Sequence, residues 1–346
     1  MGERSILNLS GILPKPQEQF RWKALMSHNR RFALALGVTF GLALSGPALA
    51  ALRDEPIEPL PPTLNINPAR ANIGRQLFHD VRLSANASVS CASCHDTAKG
   101  GADSRSHSIG FHGAATGVNA PTVFNAAFNF KQFWNGRADS LEAQVDGVVQ
   151  NPVEMGSKWG DVVAMAARDT TYRKAFAAAY PDGVTKTNIQ NAIASFERTL
   201  ITPKSRFDRY LLGDATAISA EEKSGYAKFK QYGCIACHQG KNVGGNMFQK
   251  FGVMADYFAQ RGHPTKADLG RYLVTGREDD KYVFKVPSLR NVALTAPYFH
   301  DGTVPSLEGA VDVMFRYQLG RVASKQDKQE IIGFLKTLTG EAEARP

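Results

Sequence analysis

Two short motifs hold every cysteine of the 346-residue chain. They read Cys91-Ala-Ser-Cys94-His95 and Cys234-Ile-Ala-Cys237-His238. C-x-x-C-H is the attachment motif of c-type haem, in which two thiols bond to the haem and the adjacent histidine becomes the proximal iron ligand. The sequence therefore predicts two covalent haem c groups, with the histidine of each motif on the iron.

Other uses of the cysteines explain the pattern less well. Disulfide bonds would suit an exported protein but leave the histidine after each pair unexplained. A four-cysteine zinc site would need both pairs in one small module, yet about 140 residues separate them. A thioredoxin-type redox pair needs no following histidine. The haem interpretation accounts for all six residues.

The first fifty residues are typical of a secretory signal peptide. Arg30 and Arg31 precede an apolar stretch, and Ala48-Leu49-Ala50 offers an A-x-A cleavage site. The apolar stretch is about 15 residues, short for a retained membrane anchor. We therefore expect 1–50 to be removed, with Met26 as an alternative true start, and the mature protein to lie in the periplasm.

The charge gives no sign of nucleic-acid binding. The net charge is +9, and without residues 1–50 it is 35 basic against 30 acidic residues, or +5. No Lys/Arg block with interleaved aromatic residues follows. A mildly basic face remains that could meet an acidic partner protein.

The elements around the motifs are predicted to be helices joined by long loops, with little strand. Capping residues and apolar spacing indicate four of them. They are a helix capped at Thr187-Asn-Ile-Gln190 with apolar Ile189, Ile193, Phe196 and Leu200, a helix opened by Ser219-Ala-Glu-Glu222, a helix capped by Ser306 with Leu307, Val311 and Met314 on one face, and a last helix through EIIGFLKTL.

The two motifs imply an internal duplication. ANIGRQLFHD precedes the first and EKSGYAKFKQYG precedes the second, each with a glycine followed by a large residue at helical spacing, as in the first helix of a small cytochrome. We predict a Pro-rich N-terminal arm over 51–68, a first cytochrome c-like domain over 69–210 and a second over 211–346, each with one haem c.

Three longer segments resemble the bacterial dihaem cytochrome c peroxidases. They are NAPTVFNAAFNFKQFWNGRADSLEAQ, NPVEM and VPSLRNVALTAPYFHDGTV. The resemblance covers nearly all of the mature chain. It implies two cytochrome c-like domains with haems facing across their interface. It also implies reduction of hydrogen peroxide to water with electrons from a small periplasmic donor, a cytochrome c or a copper protein. Proteins of this family are often homodimers, but the sequence leaves the oligomeric state open.

The same resemblance implies roles for individual residues. Met314, fourteen residues after His300, would be the distal ligand of the second haem, where Met/His ligation raises the potential of an electron-accepting site. Glu154 and Gln144 would form the acid–base pair at the first haem. Trp134 would lie between the haems on the electron path.

The resemblance also implies roles for residues outside the two haem-ligand sets. Asn119, Thr295 and Pro297 match the positions that hold a calcium ion in relatives, largely through backbone carbonyls. His300 would have a structural or haem-propionate role, and Asn135 replaces the usual aspartate. His79 and His263 carry no motif and are expected at the surface, whereas Gly100-Gly101 would let the loop pass close to the first haem.

The distal side of the first haem has three alternatives. In many relatives a histidine of the SIGFHGAATG loop ligates the resting iron and leaves when the other haem is reduced. Counting without gaps, that position falls on Phe111, one residue before His112. Either His112 ligates after a shift in the loop, or His107 does, or Phe111 packs over the haem and the site is open.

Two other functions compete with a peroxidase. A related dihaem family oxidises tryptophans of a partner protein during quinone cofactor maturation, but it carries a tyrosine where Met314 stands here. A pure electron-transfer cytochrome would need no proton shuttle, so Glu154 and Gln144 argue against it.

Overall fold

Helices dominate the part of the chain that the structure describes. The computed structural model describes residues 54–341, so the predicted signal peptide lies outside the described residues. The α-helices are α1 (Pro68–His79), α2 (Cys91–Cys94), α3 (Leu141–Gln150), α4 (Trp159–Arg168), α5 (Thr170–Ala179), α6 (Lys186–Glu197), α7 (Arg206–Leu211), α8 (Ala220–Gln231), α9 (Tyr257–Arg261), α10 (Tyr272–Thr275), α11 (Leu307–Val313) and α12 (Lys325–Thr337). Short 3₁₀ helices span Val81–Leu83, Ala126–Phe128, Cys234–Ala236, Lys266–Leu269, Glu278–Asp280 and Val292–Leu294, and a π-helical turn spans Met314–Leu319.

Strand is scarce, as predicted. Within residues 54–341 the only sheet pairs β1 (Phe248–Lys250) with β2 (Val283–Lys285), antiparallel, with Phe248 opposite Lys285. Over the same residues no helix has the length and apolar character needed to cross a bilayer. The mainly α fold with long loops is therefore confirmed.

Helices α1 and α6 cross where α1 carries a glycine. A Cβ added at Gly74 would lie 1.8 Å from the carbonyl oxygen of Ala192, so no larger residue fits between the two backbones. Asn67 caps α1 by accepting hydrogen bonds from the N–H groups of Ala69 and Arg70. The crossing forms the centre of the first half of the described chain.

The predicted start of α6 is wrong by two residues. Thr185, not Thr187, is the N-cap: its hydroxyl accepts a hydrogen bond from the N–H of Asn188 at 3.1 Å. The Asn188 side chain also donates to the carbonyl of Gly183 at 2.8 Å, which holds the preceding turn and favours the earlier start. Because the helix ends at Glu197, the predicted apolar position Leu200 lies beyond it.

Helices α8 and α12 repeat the same arrangement in the second half. A Cβ at Gly225 would lie 1.9 Å from the carbonyl oxygen of Glu330. The predicted capping box of Ser219 and Glu222 opens α8. In both halves a buried phenylalanine follows the crossing glycine by four residues, at Phe78 and at Phe229. This is the arrangement that the predicted duplication implies.

The other predicted helices also form. Ser306 caps α11, with its hydroxyl accepting from the N–H of Gly309. The π-helical turn continues directly from α11 and begins at Met314. The EIIGFLKTL segment lies in α12 and its C-cap.

The buried apolar residues form two main clusters, one on each half. The first gathers residues between Ile73 and Phe196, including Leu77, Phe78 and Phe176. The second gathers residues between Phe207 and Leu338 and also takes in Ile57 from the N-terminal arm. Each haem-attachment motif thus lies beside its own cluster.

The N-terminal arm packs on the second half of the chain. Ile57 is 1% exposed within the second cluster. The carboxylate of Glu55 accepts hydrogen bonds from Tyr226 and Lys230. Arg290, which forms a buried ion pair with Asp208, donates a further hydrogen bond to the arm at the carbonyl of Glu58. The arm before α1 forms no helix or strand within the described residues, so it packs through these individual contacts.

Candidate active site and haem-binding pockets

The first attachment motif forms a single helical turn. Ser90 and Ser93 close a capping box around α2, which places both cysteines on one turn and His95 directly after it. The Nδ1 of His95 lies 3.3 Å from the carbonyl oxygen of Gly101. Burial lowers the pKa of His95. With Nδ1 donating to a carbonyl, Nε2 of the neutral ring keeps its lone pair for a metal.

The second attachment motif has the same design. Cys234–Ala236 is a 3₁₀ turn, and the Nδ1 of His238 lies 3.4 Å from the carbonyl oxygen of Val243. Burial lowers the pKa of His238 to about 4. Gly244, at φ 124°, lets Pro287 come close: a Cβ there would lie 2.3 Å from the Pro287 oxygen and 3.2 Å from His238 Nδ1.

One cavity of about 260 Å³ joins the residues predicted for the second haem. Cys234, Cys237 and His238 line it, and so does Met314, which begins the π-helical turn. Such π-helical turns often mark functional positions because they redirect side chains from the helical register. The structure therefore brings the second motif and its predicted distal ligand to the same cavity.

Trp134 lines this cavity as well. Its Nε1 donates a hydrogen bond to the carbonyl oxygen of Asn119 at 2.9 Å. Its ring meets the His300 ring edge to face, with centroids 6.4 Å apart. The indole is thus held in one orientation in the cavity that the second motif also lines. Nearby, the side chain of Asn135 accepts from the N–H of Arg137 at 3.3 Å and so stabilises a local turn.

Glu154 lies half-buried in the turn after α3. Its Oε2 is buried and has no hydrogen-bond partner among residues 54–341. Burial raises the pKa of Glu154 against the opposing effects of nearby Arg137 and of a hydrogen bond from Asn151. A carboxyl group with a raised pKa can hold and release a proton closer to neutral pH than an exposed one.

Gln144 occupies the second turn of α3, which Ser140 caps. Its main-chain N–H donates to the carbonyl of Ser140 at 3.0 Å, and its side chain is half-buried. Across the described residues, no hydrogen bond joins the side chains of Gln144 and Glu154. The two predicted partners therefore lie on one helix and the turn after it, and no hydrogen bond between their side chains is found within residues 54–341.

The loop after the first motif is a tight hairpin. Ile109 bridges Ala115, and the N–H of Gly110 donates to the carbonyl of Ala114 at 2.8 Å. Phe111 is buried: its ring lies where a Cβ at Gly156 would be. His112 is exposed. The two adjacent residues therefore occupy opposite environments.

Backbone hydrogen bonds hold Phe111 in this position. Its N–H donates to the carbonyl of Glu154 at 2.9 Å, and its carbonyl accepts from Asn86 at 2.6 Å and from Ser88 at 3.1 Å. His107, the third distal candidate, is half-buried, and its Nδ1 has no hydrogen-bond partner within the described residues. The remaining motif-free histidines, His79 and His263, are exposed, as predicted.

The three predicted calcium positions line one cavity. Asn119, Thr295 and Pro297 all line the cavity that holds the second motif. The main-chain N–H of Asn119 donates to the carbonyl of His300 at 2.8 Å, and its carbonyl accepts from Trp134. Gly100 and Gly101, at φ 78°, lie against Leu294 and against Thr122 and Phe124, so tight chain packing already accounts for both glycines.

His300 belongs to a buried charged cluster. Its Nε2 lies 2.7 Å from Oδ1 of Asp268, which is 0% exposed. Arg261 forms ion pairs with both Asp268 and Asp301. Among the described residues, Asp268, His300 and Asp301 are the one group of acidic and histidine side chains close enough to share a metal ion. Because Arg261 is already ion-paired with both carboxylates, the protein supplies the cation of this cluster itself, and the cluster is a structural ion-pair network.

Two buried charged residues that form no ion pair among the described residues were not predicted from the sequence. Glu197 is 6% exposed, burial raises its pKa to about 8, and it lies close enough to Cys91 to raise the pKa of that thiol. Its position four residues after Ile193, on the apolar side of α6, was the available signal. Lys285 is 7% exposed at the end of β2 and lines the cavity.

Both motifs fit covalent haem. No disulfide joins the four cysteines, and burial raises the pKa of the Cys91 thiol to about 12 and of the Cys234 thiol to about 11. Each motif histidine turns Nδ1 to a main-chain carbonyl, and at the second motif a thioether sulfur shares the cavity. Two thiols and one imidazole at each motif, with a thioether in the cavity of the second, would be a suitable donor set for haem c.

Comparisons with known proteins agree with this chemistry. A model of the family "Di-haem cytochrome c peroxidase" matches residues 68–216. The chain is 44% identical over 310 residues to the cytochrome c551 peroxidase of Nitrosomonas europaea, covering 89% of this chain and 90% of that one. It is 47% identical over 289 residues to the cytochrome c peroxidase Ccp of Escherichia coli (strain K12), covering 83% of this chain and 62% of that longer relative.

The fold is also found among solved structures. A MauG-like protein associated with microbial copper homeostasis superposes with a TM-score of 0.72 at 30% identity, covering 83% of this chain and 94% of that one. Together with the sequence relatives, this likeness covers both haem-attachment motifs. The chain belongs to the di-haem cytochrome c peroxidase family and is an oxidoreductase with the two haem c groups of that family.

Proposed function

We propose that this protein is a periplasmic peroxidase that reduces hydrogen peroxide to water with electrons from a small redox protein. Electrons enter at the second haem, held by Cys234, Cys237, His238 and Met314, and pass by Trp134 to the first haem, held by Cys91, Cys94 and His95. When bound, the haems supply the iron that takes up peroxide and the redox centre that accepts electrons. The two buried clusters are the proposed cytochrome c-like domains. Because α7 packs in the second cluster, we place their boundary near residue 205 and not at the 210/211 boundary expected from the sequence.

The observation that carries the proposal is the state of Glu154. Cleaving peroxide requires that a proton leave the near oxygen and reach the far one. Glu154 has an unpaired buried oxygen and a raised pKa in the half of the chain that holds the first motif. It can accept the first proton and return it to the departing oxygen, while Gln144 positions peroxide or water by hydrogen bonding. A protein that only transfers electrons does not need a buried carboxyl group that transfers protons.

We propose that the distal side of the first haem is open. Support comes from the hairpin: Phe111 is buried and held by hydrogen bonds at both its N–H and its carbonyl, and His112 is exposed at the loop tip. Moving His112 into an inward position would break those bonds. An open site needs no prior reduction of the second haem.

The proposed calcium ion rests on the shared position of Asn119, Thr295 and Pro297 along one cavity. Main-chain carbonyls there would supply the oxygen ligands that calcium prefers. Elemental analysis of the purified holoprotein before and after chelation measures this ion. A calcium content of zero in both samples would remove it from the proposal.

The proposed function is tested by steady-state oxidation of a reduced small cytochrome with hydrogen peroxide. Wild type is expected to turn over, and E154Q to lose a factor of ~10²–10⁴ in turnover because the proton shuttle is gone. Reduction of the second haem by the donor should not change. E58Q, at an exposed glutamate, is the matched control.

Two outcomes contradict the proposal. Absence of peroxide turnover in wild type carrying both haems would make the protein an electron carrier. Turnover in E154Q equal to that of E58Q would remove Glu154 from the catalytic machinery.

A further inference from the structure

Lys285 is a buried lysine without a visible partner. It is 7% exposed, at the end of β2, opposite Phe248 in the strand pair. Its main-chain N–H donates to the carbonyl of Trp134 at 2.8 Å. Within residues 54–341 its ammonium group forms no ion pair and no hydrogen bond. Its side chain lines the cavity that holds the second haem-attachment motif.

A cation in this position needs an anion. Burial alone lowers the pKa of Lys285 to about 8, which shows how little the surrounding chain compensates its charge. Buried ammonium groups are normally paired, because removing an unpaired charge from water is costly. Arg290 meets this requirement through Asp208, with both side chains almost fully buried. Among residues 54–341 no carboxylate plays the equivalent part for Lys285.

The cavity itself contains no acidic side chain. Lys250 and Lys285 both line it, yet none of its described lining residues is an aspartate or a glutamate. Lys250 is exposed and can be hydrated, so only Lys285 is left without compensation. The missing anion must therefore come from whatever fills the cavity. Since Cys234, Cys237, His238 and Met314 line the same cavity, that occupant is the second haem, which carries two propionate carboxylates.

We propose that the ammonium group of Lys285 binds a propionate of the haem attached at Cys234 and Cys237. This inference rests on the second haem of the proposed function. It makes Lys285 a positioning residue that fixes the carboxylate edge of the haem beside Trp134. It also gives Lys285 an electrostatic role: a cation that offsets a propionate favours the reduced iron and raises the reduction potential of the site where electrons enter.

The test compares reduction potentials in the holoprotein, measured by spectroelectrochemistry of the second haem. K285M removes the cation and is expected to lower that potential, by the ~59 mV that corresponds to a tenfold change in a one-electron equilibrium. K285R keeps a cation and should stay near wild type. K266M removes one exposed positive charge elsewhere and should leave the potential unchanged. Haem content and the Met–iron charge-transfer band report whether each variant retains the second haem and its ligands.

Three results would overturn the inference. The first is a K285M potential equal to that of K266M. The second is a K285R potential that falls as far as that of K285M, since the cause would then be packing rather than charge. Failure of the proposed function is distinguishable, because wild type itself would then lack the second haem or peroxide turnover.

The third result would come from wild type alone, measured as the pH dependence of the reduction potential of its second haem. An unpaired Lys285 would lose its charge as pH rises through about 8, so the potential of the second haem would fall across that range. A propionate partner raises the pKa of the lysine and keeps the potential level from pH 7 to 9. The other titratable side chains that line the cavity are Lys250, His238, Tyr298 and His300. A fall near pH 8 that is absent from K285R would show that Lys285 has no partner.

Discussion

Phe111 and His112 show that a difference of one position along the loop decides which side chain is buried. They are adjacent in the hairpin after the first motif, yet Phe111 is buried and His112 is exposed. The resemblance to the dihaem peroxidases, with the residues counted from His95, implied a histidine near this point. Which of the two residues faces inward depends on the hydrogen bonds of the Phe111 main chain, to the carbonyl of Glu154 and from the side chains of Asn86 and Ser88, and no motif encodes these bonds.

At this position we expect an open resting state. The diferric protein should contain one high-spin haem and reduce peroxide without prior reduction. H112A and H107A should change neither property. Electron paramagnetic resonance and absorption spectra of the three proteins measure this. Two low-spin haems in wild type, one of them becoming high-spin in H112A, would instead identify His112 as a ligand.

Glu197 predicts a pH dependence of stability. Burial raises its pKa from 4.5 to about 8, so between these values the folded protein keeps a proton that the unfolded chain releases. The free energy of unfolding should therefore fall as pH rises across this window, by up to ~1.4 kcal/mol per pH unit for this group. E197Q lacks the titration, so the difference between it and wild type should grow from pH 5 to pH 8.

Urea unfolding at several pH values measures that difference. E58Q, at an exposed glutamate, is the matched control. A difference between wild type and E197Q that stays constant with pH would mean that Glu197 is ionised, or already paired, in the folded protein.

At the level of elements, each of the two helix crossings requires a glycine, because no side chain larger than a hydrogen atom fits between the two backbones. A methyl group at Gly74 would overlap the main chain of Ala192, which cannot move away without separating α1 from α6. G74A should therefore destabilise the protein by about 3 kcal/mol, the upper end of the usual overpacking cost. G160A is the control, because a Cβ there meets nothing within 4 Å. It should be neutral or stabilising by up to ~1 kcal/mol.

Urea unfolding followed by circular dichroism separates the two variants. Equal stability of G74A and G160A would show that the crossing can widen without cost. The corresponding change at Gly225, on α8, is expected to behave like G74A because the Glu330 carbonyl is equally close.

The elements were predicted best where local chemistry determines them. Ser219 with Glu222 and Ser306 each satisfy N–H groups of their own helix, so a few neighbouring residues sufficed. The start of α6 was missed because Thr185 and Thr187 both carry a suitable hydroxyl, and a bond from Asn188 to Gly183 decides between them. The burial of Lys285 was missed because it depends on a strand partner 37 positions away in the sequence, Phe248.

For the whole molecule, the N-terminal arm is part of the second core. Ile57 is buried among residues that come 150 or more positions later in the chain. I57A should lower the free energy of unfolding by ~2–5 kcal/mol through the lost burial and the cavity left behind. V322A, at a side chain that is 98% exposed, should change it by less than ~0.5 kcal/mol. Equal unfolding midpoints for the two variants would show that the arm is dispensable.

The Pro-rich composition of residues 51–68 predicted an extended arm but not its destination. Proline and the absence of apolar periodicity exclude a helix locally. The contacts of Glu55 with Tyr226 and of Glu58 with Arg290 join segments far apart in sequence, and their partners became apparent only in the folded chain.

The path of the arm makes the first half of the protein an insertion. The chain contributes Ile57 to the second cluster, leaves it to build α1 through α6, and returns at Phe207. The second cluster is therefore discontinuous in sequence and encloses the first between its two segments. During synthesis from the N-terminus, all residues of the first cluster are present before the second cluster has its residues from Phe207 onward. Ile57, near the start of the described chain, therefore gains its packing partners only after the whole first half has been made.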